Sequence, residues 1–199
     1  MRQAGCLYVA GTDEVGRGCL AGPVVAAAVV LRPRACLPGL RDSKLLLPGQ
    51  RRKLVPKILR SCRAWGIAAV APAAIDRWNI RRASFRAMRA AIARLQPSPA
   101  HVIVDGFRIP GLRLPQTALI GGDRRCRSVA AASVLAKVAR DRRMDRYHAL
   151  YPAYGFDRNR GYPTPDHLRA LEQFGPTPLH RRSFAPVRRL LEGTLPLPL

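Results

Sequence analysis

The stretch LYVAGTDEVGRGCLAGPVVAAAVVL, residues 7–31, constrains the fold more than any other part of the chain. Its two apolar, β-branched runs, 7–12 and 23–31, have strand length and are separated by Gly16, Gly18 and Gly22. That pattern predicts two adjacent strands around a glycine-rich turn. At the end of the first run stand Asp13 and Glu14, two of only 12 acidic residues in a chain of 199 whose formal net charge is +23. Neighbouring strand residues point to opposite faces, so both carboxylates reach one site only if the chain bends there. Gly16 and Gly18 permit such a bend.

Downstream, 48–60 carries Leu54, Ile58 and Leu59 at helical spacing, with Pro56 a candidate point of interruption. A strand is expected around Trp65–Val70. Asn79 then opens an amphipathic helix with Ile80, Ser84, Met88 and Ile92 near one face and arginines on the other. HVIVDGF reads as a buried strand finishing at Asp105, and a short strand is expected over 114–120. A long alanine-rich helix follows from about Ser128 to Tyr151, its inner face formed by Val134, Leu135 and Val138. Beyond it the sequence turns rich in Pro, Gly, Arg and aromatics. The reading is a mixed-sheet α/β fold in one structural unit: a sheet-bearing body over 1–147 and a helical, basic lobe over 148–199 packed on it.

Composition narrows the function. A 48 % hydrophobic content supplies an ordinary core. The longest apolar stretch, 21–31, is too short to span a bilayer, and the amino terminus lacks a secretory apolar core, so a cytoplasmic protein is expected. Five scattered cysteines without a CxxC pair argue against a disulfide framework or a zinc knuckle and read as reduced packing residues. Only four of the 35 basic residues are lysines; the other 31 are arginines. Codon bias can exchange lysine for arginine but cannot create the positive excess, for which a polyanionic partner is the physical reading.

Three acidic positions fall where a solvated surface charge is not expected: Asp13 with Glu14, Asp105 at a strand end, and Asp123 just before a helix. An Asp in the last position is often only a helix cap. If the segments converge, two like charges about 4 Å apart repel by roughly 4 kcal/mol at an effective dielectric near 20, so a cation is required among them. Oxygen ligands without Cys or His suit Mg²⁺ or Mn²⁺, and two such ions can activate water and stabilise the leaving oxygen in phosphodiester cleavage. Two lookalikes fail: GTDEVGRG lacks the Lys and Ser/Thr of a phosphate loop, and GRGCLA leads into a strand where a dinucleotide motif requires a helix.

The segments AGTDEVGRGCLAGPVVAAAVVL, RDSKLLL, VIVDGF, GGDRRCRSVAAASVLAKVARDRRM and YGFDRNRGYPTPDHLRALEQFGPTPLHRRSF resemble ribonuclease HII in order and spacing across roughly residues 8–188. Arg17 stands where the related type III enzymes typically carry lysine. The resemblance implies a ribonuclease H-like fold: a mixed five-stranded sheet flanked by helices, with a small carboxy-terminal helical lobe. It implies endonucleolytic cleavage of RNA in RNA/DNA hybrids and 5′ of single ribonucleotides in duplex DNA, leaving 3′-hydroxyl and 5′-phosphate ends. By the same resemblance, Asp13, Glu14, Asp105 and Asp123 hold Mg²⁺ or Mn²⁺, the Gly16, Arg17, Gly18 turn reads the ribose, and Tyr162 senses the RNA-to-DNA junction. Lys44 and Arg160 are further nucleic-acid-binding positions.

Physical sense supports these assignments, because telling RNA from DNA needs a contact to the 2′-hydroxyl and glycines let backbone approach it closely. Arg125 and Arg160 replace lysines usual in the family, changing donor geometry. Asp42, Ser43 and Lys44 match a family segment that turn formation also explains, and His180 reads as structural. A monomer is expected. Two other readings share some of these features: a resolvase- or transposase-like nuclease would keep the acids without ribose discrimination, and a non-enzymatic nucleic-acid-binding protein would need only the charge.

Overall fold

The computed structural model describes residues 8–40 and 43–193, apart from the Lys44 side chain. Five strands form one mixed sheet: β1 (Val9–Val15), β2 (Val24–Leu31), β3 (Cys62–Val70), β4 (His101–Asp105) and β5 (Gln116–Leu119), in the order β3-β2-β1-β4-β5. β1 runs antiparallel to β2 and parallel to β4, and β4 runs parallel to β5. The helices are α1 (Pro48–Ser61), α2 (Pro72–Trp78), α3 (Ile80–Ala93), α4 (Gly122–Arg125), α5 (Arg127–Leu150), α6 (Phe156–Asn159), α7 (Pro165–Phe174) and α8 (Ala185–Leu191).

Two compact units divide the chain. The first takes in the chain up to Val15 together with Val25–Ala69 and Ser84–Ala139; the second takes in Gly16–Val24, Val70–Ala83 and the chain from Arg140 onward. In the first, Ala27, Val29 and Leu31 of β2 pack with Leu54 and Ile58 of α1 and Val134, Leu135 and Val138 of α5. Close approach needs glycine twice. A Cβ on Gly11 would lie 2.3 Å from the Val129 nitrogen, so α5 crosses β1 in backbone contact, and a Cβ on Gly66 would lie 2.3 Å from the Ala91 oxygen, which brings α3 onto β3. In the second unit Ala21, Met144, Tyr154, Phe156 and Ala170 form one cluster, and Leu20, Leu171 and Val187 another. Thr164 caps α7 by accepting the His167 amide, and Pro165 occupies its first turn.

Three expectations change. Pro56 does not interrupt α1, which continues through it with Leu54 and Ile58 buried. The amide that proline lacks would serve the carbonyl of Arg52, an exposed residue, so the loss falls on the solvent side. At Asp13 and Glu14 the strand continues, both keeping antiparallel register opposite Ala27 and Ala26, and the Glu14 carboxylate still lies near enough to raise the Asp13 pKa, so no break in the strand is needed to bring the two together. The short helix α2 has no counterpart in the sequence reading. Among the cysteines, Cys19 and Cys62 are buried packing residues whereas Cys36 is free and exposed; Cys6 lies outside the described residues. Among the described residues no helix is long and apolar enough to cross a membrane.

Candidate active site

Sheet register assembles the acids. Thr12 of β1 pairs with Val104 of the parallel β4, so Asp13 and Asp105 follow side by side at the carboxyl ends of adjacent strands, where α/β sheets build their sites. Val9, Gly11 and Asp13 alternate onto one face, and α5 lies on that face because Gly11 admits it. Further along α5, the buried Ser133 hydroxyl bonds the Asp13 carboxyl, and its Oγ lies 2.8 Å from the Oγ of buried Ser43. Asp13 Oδ1 also accepts the Glu14 amide at 2.7 Å. Asp105 Oδ1 accepts the Gly122 amide at 2.7 Å, which ties the end of β4 to the start of α4, where Asp123 is buried.

Asp13 is 7 % exposed, and its acidity records the crowding. Burial first, and then the Glu14 carboxylate, push its pKa up to about 8; Asp105 adds to the rise while the Ser133 hydroxyl opposes it. Without a cation, Asp13 therefore keeps its proton at neutral pH. The donors are hard oxygens, the chemistry Mg²⁺ or Mn²⁺ accepts. As the side chains stand, no three Asp, Glu, His or Cys groups among the described residues form a metal-holding cluster. Both Asp13 and Asp105 spend one oxygen on a backbone amide.

The Gly16, Arg17, Gly18 turn belongs to the second unit; one arginine that the sequence did not single out, Arg181, holds its carbonyls, and a second, Arg140, holds those of the segment after it. Arg181 donates to the carbonyls of Arg17 (2.8 Å), Gly16 (2.6 Å) and Gly22 (2.9 Å). Arg140 donates to those of Pro23 (3.0 Å), Ala21 (3.0 Å) and Arg160 (2.7 Å). Both arginines are fully buried. Burial lowers the Arg181 pKa to about 10, which still leaves it charged at neutral pH. Gly16 has φ +92°, and a Cβ there would lie 2.2 Å from Arg140 Nε. Gly18 differs: it is exposed, and a Cβ there would meet nothing within 4 Å. Among 31 arginines, only the run of carbonyls left by a glycine-rich turn signals that two of them are structural.

Tyr162 sits in the same unit, 41 % exposed, its hydroxyl bonded to the Cys19 side chain and its pKa raised mainly by burial. Just before it, the Gly161 carbonyl accepts the Leu20 amide at 2.7 Å, so the segment after the glycine turn and the tyrosine loop are joined. Arg160 is engaged within the protein, donating to the Asp141 carbonyl at 3.0 Å and pairing with Asp145. His180 is buried against His167, a structural position. Asp42 and the Lys44 side chain lie outside the described residues.

This sheet order, with carboxylates at the ends of its adjoining parallel strands, defines an α/β nuclease of the ribonuclease H-like class. The family model described as Ribonuclease HII matches residues 10–187. Ribonuclease HII of Pelotomaculum thermopropionicum is 55 % identical over 182 residues, covering 90 % of this chain and 68 % of its own. That of Idiomarina loihiensis is 50 % identical over 183 residues, covering 92 % and 98 %. The crystal structure of the ribonuclease H2 from Pyrococcus horikoshii OT3 superposes with a TM-score of 0.81 at 28 % identity, covering 94 % of this chain and 98 % of that one. The chain belongs to the ribonuclease HII family and is a metal-dependent endoribonuclease with ribonuclease H activity on RNA/DNA hybrids.

Proposed function

We propose that the chain, as a monomer, also cuts duplex DNA 5′ of single embedded ribonucleotides, with Asp13, Glu14, Asp105 and Asp123 holding Mg²⁺ or Mn²⁺ in a two-metal site. The observation that carries this reading is the Asp13 carboxyl, its pKa raised to about 8 by burial first and then by the neighbouring Glu14 and Asp105 carboxylates. A carboxyl in that setting is costly to ionise unless a cation replaces its proton.

The metal, when bound, supplies an activated water and neutralises charge at the phosphate. Asp13, as the carboxylate, would hold it, with the Ser133 hydroxyl and the Glu14 amide fixing that carboxylate's orientation. Asp105, held by the Gly122 amide, presents its other oxygen. The water oxygen bonds to phosphorus and the bond to the 3′ oxygen breaks. The proton that the water gives up is matched by one taken up by that oxygen, leaving a 3′-hydroxyl upstream and a 5′-phosphate on the ribonucleotide side.

Selectivity in this reading belongs to the second unit. Arg181 and Arg140 hold the carbonyls of residues 16–23, and the open side of Gly18 lets backbone approach a 2′-hydroxyl that both donates and accepts. Tyr162 offers a partly exposed ring to the sugar beside the scissile phosphate. Arg17 and Lys44 contact phosphates, while Arg160, tied to Asp145, serves the nucleic acid indirectly through the loop that carries Tyr162.

The test is cleavage of a duplex containing one ribonucleotide, with and without Mg²⁺ or Mn²⁺, beside an all-DNA control. The wild type is expected to cut only the first, and only with metal. Asp105→Asn is expected to bind the duplex and not cut it. Undiminished turnover by that variant removes Asp105 from the mechanism, and cleavage of all-DNA duplex removes the ribose-reading role.

A further inference from the structure

A cavity of about 420 Å³ opens in the first unit where the turn after β2 faces the start of α5. Four arginines line it, Arg32 and Arg34 from the turn and Arg125 and Arg127 from the α4–α5 junction, together with Ser128; no carboxylate is among the described residues that line it. Both segments are anchored. Arg32 donates its amide to the Ser61 carbonyl at 2.9 Å and its Nε to the Cys62 carbonyl at 3.0 Å. The Cys126 carbonyl accepts the Ala130 amide at 2.9 Å, opening α5, while its own amide bonds Gly122 at 2.7 Å.

α5 runs for 24 residues with no acidic residue in its first turn. Its opening amides lack intrahelical acceptors and form the positive end of the helix dipole. Gathering four guanidinium groups around that end raises the cost of leaving it without an anion, since like charges repel and the dipole adds to them.

We propose that this cavity is a phosphate-binding site separate from the catalytic acids. Its floor includes Val9, at the opposite end of β1 from Asp13 and on the same sheet face, four residues or about 13 Å away. A phosphate held there is therefore not the scissile one. It belongs either to the backbone of a bound duplex beyond the cut or to a free phosphate compound; the donors read phosphate oxygens in both cases. The site rests on the chain's nucleic-acid substrate and not on any role of Gly18 or Tyr162.

The test compares wild type with Arg34→Asn/Arg127→Gln, asparagine being chosen because Arg34 has φ 58°, a left-handed conformation that Asn tolerates. Arg81→Ser/Arg82→Ser, two exposed positions on α3, is the charge-matched control. If the site holds duplex backbone, the cavity variant shows a KM for hybrid raised on the order of tenfold with kcat unchanged. The slope of log affinity against log salt then falls by about 0.9 for each phosphate that the variant leaves without a cationic partner. If the site holds a free phosphate, thermal protection of the wild type by inorganic pyrophosphate or AMP disappears in the variant while the KM for hybrid stays. Either result supports the site. Wild-type behaviour in both arms overturns it, and so do equal losses in the control. A wild type that cuts no hybrid at all indicts the functional reading instead, with the pyrophosphate arm still reporting on the cavity.

Discussion

His167 Nε2 lies 3.0 Å from His180 Nε2 in the interior of the second unit. The neighbours fix the direction of that bond. The Thr177 amide donates to His180 Nδ1 at 3.0 Å, so His180 carries its proton on Nε2 and donates to His167. His167 then carries its proton on Nδ1 and donates to the Tyr162 carbonyl at 2.8 Å. Each ring must be neutral for the chain of bonds to hold.

Burial, and secondarily His167, push the His180 pKa down to about 4; burial also lowers that of His167. Between an unfolded value near 6.5 and the folded value, the unfolded chain takes up a proton that the folded protein refuses. Stability from this site is thus fully present above pH 6.5 and is lost as pH falls toward 4. Relative to His180→Gln, wild type is expected to lose about 2 kcal/mol of unfolding free energy between pH 7 and pH 5. Urea titrations at the two pH values measure it, and a difference independent of pH refutes it.

The two outer glycines of the GRG turn separate folding from function. Gly16→Ala meets both a left-handed φ and the Arg140 side chain at 2.2 Å, so a stability loss of about 1–3 kcal/mol is expected. Gly18→Ala meets open space and should leave Tm unchanged, yet cleavage of hybrid should drop on the order of tenfold if backbone approaches the ribose there. Thermal melts beside initial rates decide; a fully active Gly18→Ala contradicts the ribose-reading role.

The hairpin and the long helix were legible because their signals are local: glycine punctuation between β-branched runs, and apolar residues spaced for one face. The placement of Asp105 beside Asp13 was legible only as a shared strand-end pattern; the parallel pairing that joins β4 to β1 lies in no local window. Pro56 misled because a proline's cost depends on where its missing bond falls, and α2 is too short to show a period. Arg140 and Arg181 could not be singled out from the other arginines, since what makes them structural is the set of carbonyls they meet after folding.

The proton on Asp13 should compete with metal. With a folded pKa of about 8 against an unfolded value near 3.8, the metal-free protein holds a proton that the unfolded chain releases, so its stability falls as pH rises through that window. If Asp13 holds the metal, binding displaces that proton, so the rise in Tm on adding Mg²⁺ or Mn²⁺ should grow from pH 6 to pH 8.5 and should vanish in Asp13→Asn. An equal rise at both pH values, or one that survives the substitution, places the metal elsewhere.

Tyr162 is exposed enough that its ring adds little to the core, and its backbone is held independently by His167 and by the Asn159 carbonyl, which accepts its amide at 2.9 Å. Changing the ring should therefore alter substrate choice before it alters the fold. If the ring packs on the sugar at a junction, Tyr162→Ala removes an interaction of about 1.4 kcal/mol, a tenfold drop in kcat/KM. The drop should appear on a duplex with one ribonucleotide, where every productive complex has a junction, and be smaller on a long hybrid. Tyr162→Phe keeps the flat face and gives up only the hydroxyl bond to Cys19, so it should retain most of the selectivity. Equal losses on both substrates for Tyr162→Ala, measured as kcat/KM ratios, contradict junction sensing.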